Sequence, residues 1–173
     1  MKRFIFSFLL IVVSIVPVFS QSSTSTTNWK KYDDGAYSIK YPNNWEATKR
    51  GNQLILMQKR TNDYEFMPSV NIIIAAQKRT ESTRYLAEGA YNQVKATGIT
   101  SGNVSYETIT LAGLSGYSWA TPVSMQGFRL YDKQYIVKKS DNTTFIVSYM
   151  IEESKRSPQL KVINAILSTL IIR

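Results

Sequence analysis

The side chains in this sequence able to do chemistry are mostly carboxylates, lysines and tyrosines. The chain has no histidine and no cysteine, which removes imidazole bases, thiolate nucleophiles, the Ser-His-Asp relay and zinc sites of the usual nitrogen or sulfur kind. Acid/base catalysis would fall to a carboxylate such as Glu107 or Asp132 beside Lys133. That work needs groups that converge in space with displaced pKa values, and spacing along the chain supplies neither. Asp33-Asp34 and Glu152-Glu153 bring oxygens that attract calcium or magnesium, but neither pair has the Asp/Asn/Gly spacing that completes a shell of about six to eight oxygens. They read as turn and loop chemistry, with weak ion binding as the alternative. Gly113 and Gly116 precede a strand pattern rather than a helix, so no phosphate-cradling loop is expected. No catalytic residue, cofactor or metal ligand is assigned, and the expectation is a non-enzymatic protein.

What remains is charge and aromatic surface. Lysines and arginines number 21 against 12 acids, a net charge of +9. Six dibasic pairs punctuate the chain after its leader: Lys30-Lys31, Lys49-Arg50, Lys59-Arg60, Lys78-Arg79, Lys138-Lys139 and Lys155-Arg156. A positive rim of this kind attracts an acidic protein, a lipid headgroup surface or an envelope polyanion without specifying which. The chain also has eleven tyrosines and three tryptophans. At strand spacing such rings are core or cross-strand pairs, and where exposed they mark association surfaces. Lys30, Lys31, Lys49, Arg50, Tyr131, Lys133, Tyr135, Lys138 and Lys139 are the candidate partner surface. Nucleic acid is not expected, because the aromatics follow the core pattern rather than a basic groove.

Periodicity supplies the elements that must hold these groups. Tyr37 to Tyr41 alternates as a half-buried strand, and the turn Pro42 to Asn44 returns the Trp45 indole toward the same core. Gln53 to Lys59 is a second strand, and Val70 to Ala76, apolar on both faces, a central one. Leu86, Ala90 and Val94, joined by Ala87 and Tyr91, place one apolar face on a helix from Ser82 to Thr97, closed by Gly98. Period-two patterning resumes from Val104 to Leu111, with Gly113 and Gly116 bending the chain into Tyr117 to Ala120. Gly127 to Lys139 and Thr143 to Ile151 form the longest paired strands, around the turn Ser140-Asp141-Asn142. Asp132 then falls inside a strand and reads as an edge charge. Ser157-Pro158 starts a helix whose buried stripe is Leu160, Ile163, Ile166, Leu167 and Leu170. Strands, helix, strands, helix make an α+β protein with a predominantly antiparallel sheet and helices packed on it.

Ahead of this lies a leader. Lys2-Arg3, the apolar run Phe4 to Val16 and the small-residue end Val18-Phe19-Ser20 predict a signal peptide over 1–20, cleaved between Ser20 and Gln21. The run is shorter than the roughly 20 apolar residues of a spanning helix and is broken by Pro17, so no membrane span should remain after cleavage. With no cysteine there is no lipid-anchored lipoprotein. Residues 21–28 form a polar tether, and 29–173 one domain, exported to the periplasm or medium with 19 basic against 12 acidic residues.

The segments Ala36 to Glu46, Ser69 to Ile74, Leu111 to Trp119, Tyr131 to Tyr149 and the closing helix together resemble the PsbP-like family, whose fold is shared with Mog and DcrB proteins. The likeness covers Trp29 to Arg173. It implies an α/β/α sandwich around a central antiparallel sheet, and a bacterial exported member. The photosynthetic members are extrinsic subunits of photosystem II that help retain calcium and chloride, Mog proteins act on a nuclear GTPase, and DcrB-like proteins are envelope components. The common thread it implies is a binding or accessory role toward a protein or envelope partner. From the residues, a small-molecule or ion carrier and a carboxylate-based enzyme stay open as alternatives.

Overall fold

The structure, a computed structural model, describes residues 28–59, 69–74, 78–100 and 102–173, with 69–74 described by its backbone alone. The expected signal peptide and cleavage site, residues 21–27 of the tether, Arg60, and residues 75–76 of the expected central strand lie outside the described residues. In chain order the elements are β1 (Lys30–Asp33), β2 (Tyr37–Tyr41), β3 (Trp45–Arg50), β4 (Gln53–Gln58), β5 (Ser69–Ile74) and α1 (Thr83–Ala96). There follow β6 (Ser105–Leu111), β7 (Leu114–Met125), β8 (Phe128–Lys138), β9 (Thr144–Glu152), α2 (Arg156–Leu167) and β10 (Ile171–Ile172).

Among the described residues the strands form two antiparallel sheets. The larger has seven strands in the order β3-β4-β5-β9-β8-β7-β6, and the smaller is β1-β2-β10. Alternation along β8 and β9 sorts the large sheet into two faces. Val137, Phe145, Val147, Tyr149 and Ile151 pack with Ile163, Ile166 and Leu167 of α2 and with Tyr37, Ile39 and Tyr41 of β2. Ile136 and Trp119 turn the other way and meet Ala87 and Tyr91 of α1. One helix therefore lies on each face of the seven-stranded sheet, and the small sheet joins α2. This is the α+β sandwich expected, with the small sheet as an addition.

Local chemistry explains the boundaries. Ser82 caps α1 by accepting the Tyr85 backbone N–H at 3.2 Å. Gly98 ends it at φ +74°, where a side chain would be strained. Trp45 is fully buried in the core of Tyr37, Ile39 and Tyr41, as the proline turn predicts. Gly116, expected at a bend, instead sits inside a twelve-residue β7. A Cβ there would lie 2.1 Å from the Ile136 carbonyl oxygen, so glycine is what allows β7 and β8 to approach. β7 also tolerates Pro122, because Ser124, two residues on, sends its N–H away from β8 to Ile99. Pro122 shares that orientation and lies past the end of β6, where no ladder bond is needed. The β7–β8 pair is consequently longer than the β8–β9 pair expected to be the longest. α2 begins at Arg156, ahead of Ser157. A 3-10 turn over Glu153–Lys155 offers the Glu153 carbonyl to the Arg156 N–H, and no side chain caps the helix.

Candidate binding face

β8 is the strand that positions the candidate site. It runs between β7 and β9, so its odd and even residues face opposite sides of a covered sheet. Tyr131, Lys133 and Tyr135 share the α2 side, where neighbouring elements bring them partners. Glu107 of β6 accepts a 3.0 Å bond from Lys133 Nζ, which also lies 5.3 Å from the centre of the Tyr135 ring. The Arg156 guanidinium, at the start of α2, sits 3.7 Å over the Tyr131 ring. Tyr135 and Tyr149 are tilted against each other at 6.2 Å. Burial drives the Tyr135 phenol up, and burial with the neighbouring Tyr135 drives Tyr149 up as well, so both stay protonated. Burial pulls the Lys133 ammonium down, but the Glu107 bond and the tyrosines outweigh it and the net shift is upward. Lys133 is thus a fixed cation suited to holding an anion or carboxylate. A lysine base or nucleophile would require the opposite shift.

The remaining candidates go elsewhere. Lys31, Lys49 and Lys139 surround the turn after β1. Lys31 pairs with Asp33 at 2.8 Å, Lys49 with Asp34 at 3.4 Å, and Lys139 Nζ donates to the Arg173 carbonyl. Arg173 completes that cluster with a two-pronged contact to Asp33 at 2.8 and 3.0 Å. Arg173 and then Lys31 hold the Asp33 carboxyl well below the usual carboxylate range. Asp33 and Asp34 also accept the backbone N–H groups of Gly35, Ala36 and Tyr37, the turn chemistry expected of them. Lys30 reaches the Asn43 carbonyl at 3.3 Å, and Arg50 is exposed at the end of β3. Lys138 turns to the α1 side and donates to the Glu81 carbonyl. Tyr131, Lys133 and Tyr135 are therefore brought together, and the other six are distributed over four places.

Glu152 and Glu153 are occupied by Lys155 at 3.5 Å and Arg156 at 3.3 Å. Among the described residues no group of three or more Asp or Glu side chains could hold a metal ion.

Asp132 departs from its expected role. β8 is an interior strand, so this is no edge charge, and the residue is only 5 % exposed on the α1 side. It faces away from Lys133, which dissolves the suggested pair. Thr121 and Met150 flank it across the two ladders, and among the described residues its carboxyl has no hydrogen-bond or charge partner. Burial alone pushes it up to about 7. The signal available in the sequence was a charge within a strand flanked by two strong strand patterns. Arg156, read in the sequence only as half of the Lys155-Arg156 pair, was not placed on the candidate surface, since a helix-start arginine carries no local mark of the ring it covers.

With this geometry established, the architecture is the one shared by PsbP and Mog1 proteins. No family model matches the chain, and no curated protein matches it in sequence. Solved structures do. LpqN of Mycobacterium tuberculosis, described as involved in cell envelope biogenesis, aligns with a TM-score of 0.61 at 13% identity, over 84% of this chain and 91% of its own. The cyanobacterial PsbP of Synechocystis sp. PCC 6803 aligns at 0.60 and 13% identity, over 91% of this chain and 100% of its own. The Ran-binding protein Mog1p of Saccharomyces cerevisiae aligns at 0.59 and 9% identity, over 84% and 95%. Among the described residues no helix is long and apolar enough to cross a membrane.

Proposed function

We propose that this protein is an exported, non-enzymatic binding module that engages a protein or envelope partner through the tyrosine and cation face of β8, β9 and the start of α2. The observation that carries the reading is the grouping of Tyr131 under Arg156 with Lys133 and Tyr135 on one rigid strand. Tyrosine and arginine are enriched among the residues that dominate binding energy at interfaces: tyrosine offers large area with few rotors to freeze, and arginine a planar guanidinium with several donors. A fixed Lys133 selects for a carboxylate or other anion beside an aromatic or apolar contact. The fold adds support: Mog1p is a Ran-binding protein and LpqN takes part in envelope biogenesis, so the same sandwich serves association elsewhere. The leader supports export.

Affinity capture from envelope extract tests this, comparing the native chain with Lys133→Glu and Tyr131→Ala. The expected result is a defined partner retained at low salt, weakened at high salt by screening, and lost from both variants. Identical capture by all three chains would remove the face from consideration. Asp132 favours a second reading, a carboxylate-based activity or ion site on the α1 side, because strongly displaced acids gather at functional sites. Asp132→Asn separates the two readings, leaving partner capture unchanged under the first.

A further inference from the structure

Among the described residues the seven-stranded sheet ends in two edges, and they differ in kind. β3 carries Lys49 and Arg50, and in the small sheet β1 carries Lys30, Lys31 and Asp33, charges that discourage pairing with another strand. β10 has only two residues. β6, Ser-Tyr-Glu-Thr-Ile-Thr-Leu, has no lysine, arginine or proline, and its register with β7 is unbroken from Ser105 to Leu111. Its one charge, Glu107, is neutralised by Lys133.

The orientation of its free backbone groups follows from the turn. Ala112 and Gly113 form a two-residue hairpin with φ of +51° and +78°, so Leu111 and Leu114 are the hydrogen-bonded pair beside it. By alternation Leu111, Ile109, Glu107 and Ser105 direct their N–H and C=O groups to β7. Tyr106, Thr108 and Thr110 direct theirs outward, and all three residues are exposed. Tyr106 is 37% exposed and held edge-on against Tyr91 at 6.2 Å, so its ring is already oriented.

We propose that β6 pairs with β6 of a second copy of this chain, antiparallel about a two-fold axis through Thr108, joining two seven-stranded sheets into one. That register sets Thr108 opposite its own copy, Tyr106 opposite Thr110 and Glu107 opposite Ile109 of the second copy. Aromatic and β-branched residues face each other, and no like charges stand directly opposed. The three outward residues are the hydrogen-bonded pairs of the new ladder, giving about six backbone bonds across the axis. Charge selects this edge: on a chain of +9, two copies meet with least repulsion where the edge lacks cations. The contact is self-complementary and closes at two. It uses the outward backbone groups of β6 and meets the β8 face only through the Lys133 and Glu107 pair, so substitutions at Thr108 test it without altering that face.

Sedimentation of the full chain across micromolar concentrations tests the pairing. The expected mass is twice that of the single chain, which is 19.7 kDa with its leader. Thr108→Pro deletes an outward N–H while sparing the ladder to β7, and Thr108→Lys keeps the N–H but sets like charges across the axis. Both variants should sediment at the single mass with unchanged far-ultraviolet circular dichroism. If Thr108→Pro fails to fold, Thr108→Lys decides. A native chain at the single mass throughout, or a double mass kept by Thr108→Lys, overturns the pairing.

Discussion

The two faces of β8 handle ionisable groups in opposite ways. On the α2 side Lys133 meets Glu107 and Tyr131 meets Arg156, so half-buried polar chemistry is matched. On the α1 side Asp132 is more deeply buried and has no such match among the described residues. One strand thus carries a satisfied face, fitted to recognition, and a face where a single carboxyl opposes folding whenever it is charged. Burial alone does not make a polar residue costly; burial without a partner does.

The largest effect should come from disturbing what sets both faces at once. Gly116 lets β7 lie against β8, and a Cβ there would meet the Ile136 carbonyl oxygen at 2.1 Å and Val137 Cγ1 at 2.9 Å. Backbone cannot swing aside as a side-chain tip can. Gly116→Val should therefore separate the two strands and disorder both faces together. The expected outcome is loss of the cooperative thermal transition, followed by circular dichroism. A folded variant with a native midpoint would show that the approach of β7 is not what holds the arrangement.

The next effect isolates the unmatched face. With Asp132 pushed up to about 7 in the folded chain and near 3.9 unfolded, the native state holds the proton more tightly. Between those values it binds more protons than the unfolded state, so stability falls as pH rises through the window. Asp132→Asn removes the penalty. It should be more stable than the native chain at pH 8, by on the order of 4 kcal/mol at most. The advantage should shrink as pH falls and vanish below about pH 4, where the acid is neutral in both states. Urea melts at pH 4, 6 and 8 provide the check, and a difference independent of pH would assign it to packing.

How much of this was legible in the sequence follows from the range of each interaction. Tyr37 to Tyr41, the strand in Gln53 to Lys59, the helix start at Ser82 with its Gly98 stop, and the strand in Thr143 to Ile151 were all readable, because periodicity and helix-end signals act within a few residues. β3 escaped because Glu46-Ala47-Thr48-Lys49-Arg50 lacks a regular apolar period and lies at an edge that buries little after Trp45. β7 was cut short because Gly116 and Pro122 are ordinarily breakers, and here each is excused by a neighbouring strand absent from local sequence. Arg173 and Asp33 are separated by nearly the whole described chain, and no local pattern announces that contact. Of the site, Tyr131, Lys133 and Tyr135 stood among nine candidates and their every-second-residue spacing puts them on one side of β8, while their partners Glu107, Tyr149 and Arg156 needed the sheet order and the start of α2.

The smallest effect on stability should come from the matched face, and it sharpens the contrast. Lys133→Met keeps the aliphatic stem against Tyr135 and removes the ammonium. Glu107 is left without its cation but more than half exposed, so water replaces the lost bond and the change in stability should be under about 1 kcal/mol. The pH dependence should also differ in kind. Asp132→Asn flattens the stability curve between pH 4 and 7, whereas Lys133→Met should leave its slope there unaltered, because Lys133 stays protonated throughout that range. The same substitution should still weaken capture of an anionic partner, since the cation is removed from the face that meets it. A stability loss as large as the gain from Asp132→Asn would mean that the Lys133 and Glu107 pair is a structural tie, and the two faces of β8 would then differ in depth rather than in purpose.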